Sequence, residues 1–461
     1  MPGPVTVGVD IGTTSVKALA VDGDGHVVAT ARVPHKISTP AADMLEHDAC
    51  RAWRAGPRRA YSAVTADLSA PVAGVSVASM VPSLTAVDRR GVPVIPGLLY
   101  GDVRGRPESG DEPAEAPAFS GAMPDAEGFL RWAVGEAPDA AGYWPCQAVA
   151  THALSGVAAV DSAMVASLGA LHARGEWNTP LLDKFGVGAA QLPVVVPMCE
   201  AGGTLPGTDT VFTGGTIDAL CDQVVAGATE PGDVLAIFGA TLVIWVVTDR
   251  WVEVPDLISV PHTVAGRFLM GGPSNAGALF VDWARRLLRG LPLPGPATRR
   301  TGEVRPGDPE RVPVWLPYLR GERTPYNNPM LRASVHGLDI TQGPGAIGRA
   351  AYEASGFVIR RMLERAGVEG RRIVASGGGT RVEAWMAGVA DATGLPVDTV
   401  AVPEGAALGA AFFARLAAGL ERSLDDSSRW ARVGHRVEPD PAWARAAAVR
   451  YRLFEELGPG T

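Results

Sequence analysis

The sequence predicts an α/β protein of two domains, and three observations lead to this prediction. A short pattern, an apolar strand followed by a Gly/Thr turn and a second apolar strand, occurs at residues 7–22 and again at 234–249. The first half begins with three strands, a helix and a further strand, which is an α/β order. The chain has 461 residues, a length greater than one hydrophobic core usually organises, and its 47% of apolar residues are enough for two cores. We therefore predict an N-terminal domain at 1–230 and a C-terminal domain at 231–461.

The repeated pattern predicts two β-hairpins, because glycine permits a tight turn between strands rich in β-branched residues. The amides and hydroxyls of such a turn can bind an anion. One such turn is also common in sheets that bind nothing, but two of them, one in each half, favour binding of the phosphates of a nucleotide. The first Gly/Thr turn consists of Gly12, Thr13 and Thr14, and the second of Gly239, Ala240 and Thr241.

The residues that flank the two turns differ in charge. Asp10 lies just before the first Gly/Thr turn, where a carboxylate can hold a hydrated divalent metal against phosphate oxygens. Lys17 follows in the outgoing strand and supplies a compact positive charge. Phe238 precedes the second turn, so that copy lacks the acid. We expect the first turn to position the metal and the second to bind phosphate only.

The composition excludes several classes of partner. The net charge is −8, so the chain has no basic footprint for nucleic acid or for an anionic membrane. The first residues lack the basic and apolar regions of a signal peptide. The longest apolar run, at 234–247, is too short to span a bilayer. We expect a cytoplasmic protein.

The elements of the first half follow an α/β order. Apolar patterning and turn residues predict strands at 27–33 and 72–77, a helix at 48–68, and a hairpin of strands 84–87 and 92–95. From 106 to 141 the sequence is rich in Pro, Ala, Gly and Glu with little periodicity. It predicts an irregular connection.

The second half contains a long helix and a glycine-rich turn. Apolar residues at helical spacing predict a helix at 345–366. Residues 372–376 then predict a buried strand that leads into a helix at 383–393. Between them lies the glycine turn, which we define as Gly377, Gly378 and Gly379. Glycines let backbone approach a ligand closely, and a helix N-terminus favours phosphate, so we expect this turn to approach a nucleotide.

Phosphoryl transfer also needs a carboxylate that accepts the proton of the attacking hydroxyl. Asp218 is the candidate, because the preceding glycines place it at the start of an apolar helix about twenty residues before the second Gly/Thr turn. A helix N-cap is the competing structural role for Asp218. Asp222, one turn later on the same helix face, is a competing acid.

Taken in order, these motifs resemble those of the FGGY family of carbohydrate kinases. Asp10, Lys17 and the first Gly/Thr turn resemble its first phosphate motif, and residues 238–242 its second. Residues 214–218 resemble the segment with its catalytic aspartate, and 376–391 its adenosine-binding motif. Further similar runs are residues 46–48, 333–353 and 315–325, the last being typical of the xylulokinase-like branch.

The resemblance implies two ribonuclease-H-like domains of the actin/hexokinase-type ATPase class, with ATP in the cleft between them. It implies ATP- and Mg²⁺-dependent phosphorylation of a hydroxyl on a small sugar or polyol, with a ketopentose such as xylulose as the favoured acceptor. By this resemblance Asp218 is the general base and Asp10 holds Mg²⁺ through water. The remaining nucleotide contacts are Lys17, both Gly/Thr turns and the glycine turn.

The sugar site departs from the family pattern. Xylulokinase-like members carry Met-His-Gly where this chain has Val81-Pro82-Ser83, and their Trp-x-Asp-x-Arg motif reads Tyr100-Gly-Asp102-Val-Arg104. An aromatic ring can still stack on a sugar, and the acid and the arginine can still hydrogen-bond hydroxyls or order the loop. We expect an altered pocket in which the acceptor contacts are Ser83, Tyr100, Asp102 and Arg104.

Two alternatives to a ketopentose kinase stay open. The altered pocket is compatible with a kinase for an unusual polyol in a biosynthetic pathway. It is also compatible with a nucleotide-binding pseudokinase that acts as a sensor, although the acid at Asp218 speaks against this. The expected partner is a small molecule, and the oligomeric state, for which a homodimer is one arrangement, is left open.

Overall fold

The computed structural model describes residues 3–41, 43–105, 125–173, 176–289 and 308–459. The chain forms two compact units. The first unit contains residues 1–225 together with 404–431, and the second contains 226–403 together with 432–461.

Up to residue 226 the chain is built mostly of short strands. The strands are β1 (Val5–Ile11), β2 (Ser15–Val21), β3 (Val27–Pro34), β4 (Ile37–Ser38), β5 (Glu46–His47), β6 (Val72–Ser79), β7 (Ser83–Val87), β8 (Gly97–Leu99), β9 (Gly142–Trp144), β10 (Ala159–Asp161), β11 (His172–Ala173), β12 (Glu176–Trp177), β13 (Val194–Val196), β14 (Ala201–Thr204), β15 (Val211–Thr213) and β16 (Thr216–Ile217). The α-helices are α1 (Gly56–Thr65), α2 (Asp125–Glu136), α3 (Cys146–Ser155), α4 (Ser162–Ala166), α5 (Thr179–Lys184) and α6 (Asp218–Ala226). A π-helical segment (Cys50–Ala55) precedes α1, and short 3₁₀ turns lie at Val103–Gly105, Gly169–Leu171 and Ala189–Gln191.

After residue 226 the helices are longer. The strands are β17 (Asp233–Phe238), β18 (Leu242–Thr248), β19 (Ile258–Pro261), β20 (Phe268–Ser274), β21 (Val314–Leu316), β22 (Ser334–His336), β23 (Arg372–Ser376), β24 (Val397–Val400) and β25 (Val433–Val437). The α-helices are α7 (Ala278–Arg289), α8 (Pro344–Ala366), α9 (Glu383–Thr393), α10 (Gly405–Ala417) and α11 (Pro441–Leu457). Short 3₁₀ segments lie at Pro309–Arg311, Gly378–Arg381 and Leu424–Trp430.

The sheets of the two units share the order and directions of five strands. In the first unit the order is β14-β15-β6-β1-β2-β3, with β16 also on β6. β1, β2 and β3 are antiparallel neighbours, whereas β6 runs parallel to β1, β15 and β16. In the second unit the order is β19-β20-β18-β17-β23-β24-β25. Its strands β20-β18-β17-β23-β24 repeat the order and directions of β3-β2-β1-β6-β15.

Helix α10 follows the second unit in sequence but packs on β1 and β6 of the first. Small residues allow this close contact: a Cβ at Gly8 would lie 1.8 Å from the carbonyl oxygen of Ala407, and one at Gly74 would lie 2.7 Å from that of Ala414. Thr6 Oγ1 also donates to Ala411 O across 2.8 Å. The predicted division at residue 230 assigns this helix to the C-terminal domain, because the order of the sequence gives no sign that the chain comes back to the first unit at residue 404.

Most of the predicted elements are confirmed. The helices predicted at 345–366 and 383–393 and the strand at 372–376 match α8, α9 and β23. The predicted hairpin of 84–87 and 92–95 is confirmed in part: Val87 and Pro93 form an antiparallel bridge, but residues 92–95 form no strand, and β7 pairs with β8 and β9. The prediction of an irregular connection at 106–141 is wrong for Asp125–Glu136, which forms α2 with Phe129 and Leu130 buried. Residues 106–124 lie outside the described residues.

A membrane-spanning element is not among the described helices, because none combines the length and the apolar character that crossing a bilayer requires.

Both repeated hairpins are confirmed as β1–β2 and β17–β18.

Candidate active site

Three strands of the first unit end side by side at one edge of its sheet. β1 and β16 both run parallel to β6, so the carboxyl ends of all three lie at the same edge. The first Gly/Thr turn follows β1, and Asp218 follows β16 directly. Carboxyl ends of parallel strands are where α/β proteins usually bind ligands. The topology therefore places Asp10, the first Gly/Thr turn and Asp218 at one edge of the sheet.

Asp10 and Lys17 form an ion pair across this hairpin. They are direct partners in the β1–β2 register, and Lys17 Nζ donates to Asp10 Oδ2 across 3.0 Å. The Asp10 side chain is 6% exposed and that of Lys17 is 26% exposed. The negative charge of Asp10, with smaller contributions from Asp222 and Glu404, raises the pKa of Lys17. Lys17 thus stays protonated among several carboxylates.

Asp218 is the first residue of α6 and is partly exposed. Desolvation by the surrounding protein, with repulsion from Asp10 as the second cause, raises the pKa of its carboxyl to about 6. Its Oδ1 also accepts a 2.7 Å hydrogen bond from the amide of Ala219. A carboxylate with a pKa near neutral pH has the property that a general base needs.

The chain before Asp218 is held by contacts that the sequence did not reveal. A Cβ at Gly214 would lie 2.5 Å from the carbonyl carbon of Val160, and one at Gly215 would lie 2.4 Å from Gln147 Cβ, so both positions require glycine. The buried Gln147 amide donates to the carbonyls of Ser79 and Thr216 across 3.1 and 3.2 Å. Gln147 therefore joins the ends of β6 and β16 beside Asp218.

Asp161 is another buried acid that sequence reasoning missed. It is 1% exposed, and burial raises the pKa of its carboxyl to about 7. Its Oδ1 accepts from the amide of Met164 across 2.7 Å, which caps α4, and its backbone amide donates to Gly215 O. The cap serves a local structural role next to the Gly214–Gly215 segment.

The predicted sugar contacts lie close to the same turn, and their polar groups have partners within the unit. The hydroxyls of Tyr100 and Thr13 are 3.0 Å apart. Asp102 is fully buried; Leu45 N donates to its Oδ2, and Arg104 donates to both carboxylate oxygens. Ser83 Oγ accepts from the amide of Cys146 across 3.1 Å. A sugar hydroxyl at Asp102 or Ser83 would have to compete with these bonds.

Arg104 connects several of these elements. It forms ion pairs with Asp102 at 2.7 Å and with Glu46 at 2.9 Å, and its guanidinium lies 4.8 Å from the ring centroid of Trp132 on α2. Hydrogen bonds to Asp102 are the main cause of its raised pKa. The predicted sugar motif is therefore also the packing site of α2.

In the second unit, the second Gly/Thr turn and the glycine turn are neighbours. They follow β17 and β23, which are parallel and adjacent. A Cβ at Gly377, where φ is 88°, would lie 2.8 Å from Phe238 O, and one at Gly379 would lie 2.6 Å from the Trp385 ring. At Gly239 the nearest atom is 3.5 Å away, and at Gly378 it is 3.8 Å away. Gly377 and Gly379 thus serve packing, whereas Gly239 and Gly378 have room around them.

Two acidic residues from the second unit's predicted motifs have structural partners. Glu353 is fully buried between Arg349 and Arg450, each at 2.8 Å. Asp391 accepts from Arg349 across 2.6 Å and from the amide of Asp440 across 2.7 Å. These ion pairs join α8, α9 and α11, so Asp391 and Glu353 stabilise the unit that carries the glycine turn.

Glu322, from the same set of motifs, supports the end of β20. It is 2% exposed, and burial raises the pKa of its carboxyl to about 7. It accepts from the Ser274 hydroxyl at 2.7 Å and from the amides of Asn275 and Arg323 at 2.8 and 2.7 Å. Sequence patterns carry no sign of this role, because Ser274 and Asn275 are nearly fifty residues away from Glu322.

Two units with this repeated sheet, each with a Gly/Thr turn after its first strand, define an actin/hexokinase-type ATPase fold. The model of the FGGY family of carbohydrate kinases, N-terminal domain, matches residues 5–109, and that of its C-terminal domain matches residues 236–418. Together they match more than half of the chain. The chain belongs to the FGGY family of carbohydrate kinases and is, by that membership, an ATP-dependent carbohydrate kinase.

Individual relatives are similar over nearly the whole chain. The xylulose kinase of Escherichia coli is 27% identical over 450 residues, with 91% of each protein covered. The glycerol kinase of Brucella anthropi is 27% identical over 484 residues, which cover 94% of this chain and 93% of that protein. The crystal structure of xylulose kinase from Rhodospirillum rubrum has a TM-score of 0.75 at 27% identity, with 98% of both chains covered.

Proposed function

We propose that this chain transfers the terminal phosphoryl group of ATP to a hydroxyl of a small sugar or polyol, with a ketopentose such as xylulose as the first candidate. The observation that carries the proposal is Asp218, whose carboxyl has a pKa raised to about 6 and which follows β16 at the edge where Asp10 and the first Gly/Thr turn lie. A base of this kind is needed by the acceptor hydroxyl and has no use in nucleotide binding alone.

In this mechanism Asp218 accepts the proton of the acceptor hydroxyl as its oxygen bonds to phosphorus. The bond between that phosphorus and the bridging oxygen of ADP breaks, and ADP leaves with the electron pair. Lys17 and the first Gly/Thr turn bind the terminal phosphates. The ammonium of Lys17 is suited to this role, because neighbouring carboxylates raise its pKa and keep it charged.

We assign phosphate binding in the second unit to the second Gly/Thr turn and nucleotide approach to the glycine turn. The space around Gly239 and Gly378 supports this assignment, since a ligand needs room where the backbone is free of packing. Phe238 and Trp385 hold the two turns together, with their rings edge to face at 5.1 Å.

Mg²⁺ fits the chemistry of the donors in the first unit. Carboxylates outnumber Lys17 there, and carboxylate oxygens are ligands that Mg²⁺ prefers. Within the part of the chain that the structure describes, three side-chain ligand atoms of His, Cys, Asp or Glu come within 4.8 Å of one another only at Asp22, Asp24 and His26. Mg²⁺ at Asp10 would therefore keep water ligands, and Asp10 would hold it through water. When bound, the ion neutralises negative charge on the phosphates.

The second candidate is a kinase for an unusual polyol. It is favoured by Val81-Pro82-Ser83, because Ser83 is tied to Cys146 N and Pro82 lines an apolar cavity of about 20 Å³ with residues of α2 and β9. The segment lacks the histidine of the Met-His-Gly pattern, and the contacts of its own residues lie within the first unit. Family membership and the carboxyl of Asp218 both speak against a pseudokinase.

A panel assay tests the proposal. ADP release and phosphorylated product would be measured with Mg²⁺ and ATP on xylulose, ribulose, glycerol and longer polyols, with Asp218→Asn as the control. We expect product from at least one acceptor and none from the variant. ATP hydrolysis without any phosphorylated acceptor, or ATP binding without turnover, would contradict the proposal.

A further inference from the structure

The carbonyl groups along the first Gly/Thr turn accept hydrogen bonds from separate parts of the first unit. His47 Nε2 lies 2.8 Å from Thr13 O, and the backbone amide of His35 donates to Thr14 O across 3.0 Å. Just before the turn, Ser79 Oγ donates to Ile11 O across 3.1 Å. The turn's peptide groups are therefore oriented by residues that lie outside it.

The partners of His47 fix its tautomer. Trp53 Nε1 is 3.0 Å from His47 Nδ1, and an indole nitrogen can only donate, so Nδ1 accepts. A carbonyl oxygen can only accept, so Nε2 carries the proton and donates to Thr13 O. Burial lowers the pKa of the imidazole to about 4, which keeps it neutral. His47 and Trp53 are both fully buried, so this arrangement is shielded from water.

This bond determines the direction of one amide in the turn. In a trans peptide the C=O and the following N–H point in opposite directions. Because the Thr13 carbonyl is directed at His47, the Thr14 amide is directed away from His47 and the core. Thr14 is the exposed residue of the turn, whereas Thr13 is buried and its hydroxyl contacts Tyr100. An anion that reaches Thr14 then meets an N–H group and no carbonyl.

We propose that His47 is a positioning residue for phosphate binding: held by the Trp53 indole, it fixes the Thr13–Thr14 peptide so that the Thr14 amide faces the ATP phosphates. Without this bond the peptide can rotate and present the Thr13 carbonyl to the phosphate, which is repulsive. The inference rests on the proposed nucleotide role of the first Gly/Thr turn. His47 touches neither substrate, so its effect falls on ATP and spares the acceptor.

The test compares His47→Leu with His47→Gln. Leucine removes both hydrogen bonds, whereas a glutamine amide can donate to Thr13 O and accept from Trp53. We expect His47→Leu to weaken ATP binding, measured calorimetrically with Mg²⁺, by about tenfold, as loss of one buried hydrogen bond predicts. His47→Gln should recover affinity to within about threefold of the wild type, and the KM of the acceptor should change little in both.

His152→Leu is the matched control. His152 packs against Trp144 with ring centroids 5.1 Å apart, much as His47 packs against Trp53, but it lies on α3 beside Gly91. A general cost of losing a histidine from this unit would appear in both leucine variants. We expect His152→Leu to leave ATP affinity unchanged, and thermal unfolding of all variants separates misfolding from an effect on binding.

A second measurement reads the tautomer of His47 in the wild-type protein and needs only a folded His47→Gln variant for the assignment. In wild-type protein labelled with ¹⁵N-histidine, His47 should be neutral with the proton on Nε2, its signal assigned by its loss in His47→Gln. A proton on Nδ1, or equal ATP affinity in wild type, His47→Leu and His47→Gln, would overturn the inference. Absence of ATP binding in the wild type would instead overturn the proposed function, so the two failures are distinguishable.

Discussion

Lys17 Nζ donates to Asp10 Oδ2 across 3.0 Å, and the two residues are direct cross-strand partners at the end of the first hairpin. Asp10 also acts on a second acid, Asp218, whose pKa is raised in part by Asp10. Lys17 in turn offsets that repulsion, because its charge lowers the pKa of Asp218. The ionisation of the proposed base therefore depends on the residues that are proposed to bind metal and phosphate.

The first prediction concerns the identity of the base. Asp218→Asn should remove phosphoryl transfer while ATP affinity stays within about threefold, because the base acts on the acceptor and not on ATP. Steady-state turnover and calorimetric ATP titration measure the two effects separately. The same variant should also unfold at a higher temperature at neutral pH, since a carboxyl whose pKa is raised by folding destabilises the native state when it is ionised.

Asp222→Asn is the control for this prediction. Asp222 lies one turn further along α6, is 5% exposed, and acts on Lys17 through its charge. We expect this variant to keep measurable turnover with a higher KM for ATP. An inactive Asp222→Asn beside an active Asp218→Asn would show that the wrong acid has been assigned.

The second prediction is the pH dependence of the reaction. A base must be deprotonated to act, so kcat/KM for the acceptor should rise with pH and level off above about 6, with roughly tenfold loss per pH unit below that value. Buffers of constant ionic strength at saturating ATP provide the measurement. A limb that levels off near pH 4, the ordinary range of an aspartate, would mean that burial and Asp10 do not control this carboxyl.

Local sequence predicted the parts of the fold that depend on local interactions. Both hairpins follow from glycine between β-branched runs, and α8 follows from apolar residues at helical spacing. The return of α10 to the first unit could not be predicted, because it depends on contacts such as Gly8 against Ala407, which are about 400 residues apart. Helix α2 could not be recognised because the Pro- and Ala-rich sequence around it obscures the helical spacing of its apolar residues.

The site was predictable to a similar extent. The Asp10–Lys17 pair lies in one hairpin, so its spacing in sequence already places the two side chains on one face. The partners of Thr13, in contrast, are His47 and Tyr100, which lie 34 and 87 positions further along the chain. A single sequence carries no record of such contacts. The bond from Leu45 N to Asp102, 57 residues further along the chain, could not be foreseen for the same reason, whereas Arg104 is two residues from Asp102 and the motif already indicated that the two residues can order the loop.

The third prediction tests the two turns of the second unit. Gly239→Val and Gly378→Val should fold normally, because a Cβ at either position meets no atom closer than 3.5 Å. Both should raise the KM for ATP and lower kcat, since the added side chain occupies the space assigned to the nucleotide. Steady-state kinetics with ATP as the varied substrate gives the measurement.

Gly277→Val is the contrasting control. A Cβ there would lie 2.2 Å from the backbone of Thr241, so this variant should lower the unfolding temperature, which Gly239→Val should not. Unchanged kinetics in both Gly239→Val and Gly378→Val would exclude these turns from the nucleotide site.

The fourth prediction separates a structural role of Asp102 from a role in sugar binding. Asp102 is fully buried and joins Leu45 N to Arg104. Asp102→Asn leaves the largely buried Arg104 without one of its ion-pair partners and should lower the free energy of unfolding by about 2–4 kcal/mol. Asp209→Asn, in an exposed turn of the same unit, is the control and should change stability little.

Kinetics decide between the two roles of Asp102. If its bonds are structural, Asp102→Asn should keep the acceptor KM within about threefold at a temperature where the variant is folded, because no sugar contact is lost. Glu46, which pairs with the same arginine at 2.9 Å, remains to hold the Arg104 side chain in place. A large rise in acceptor KM with unchanged stability would instead make Asp102 a sugar ligand, as its place in the motif first indicated.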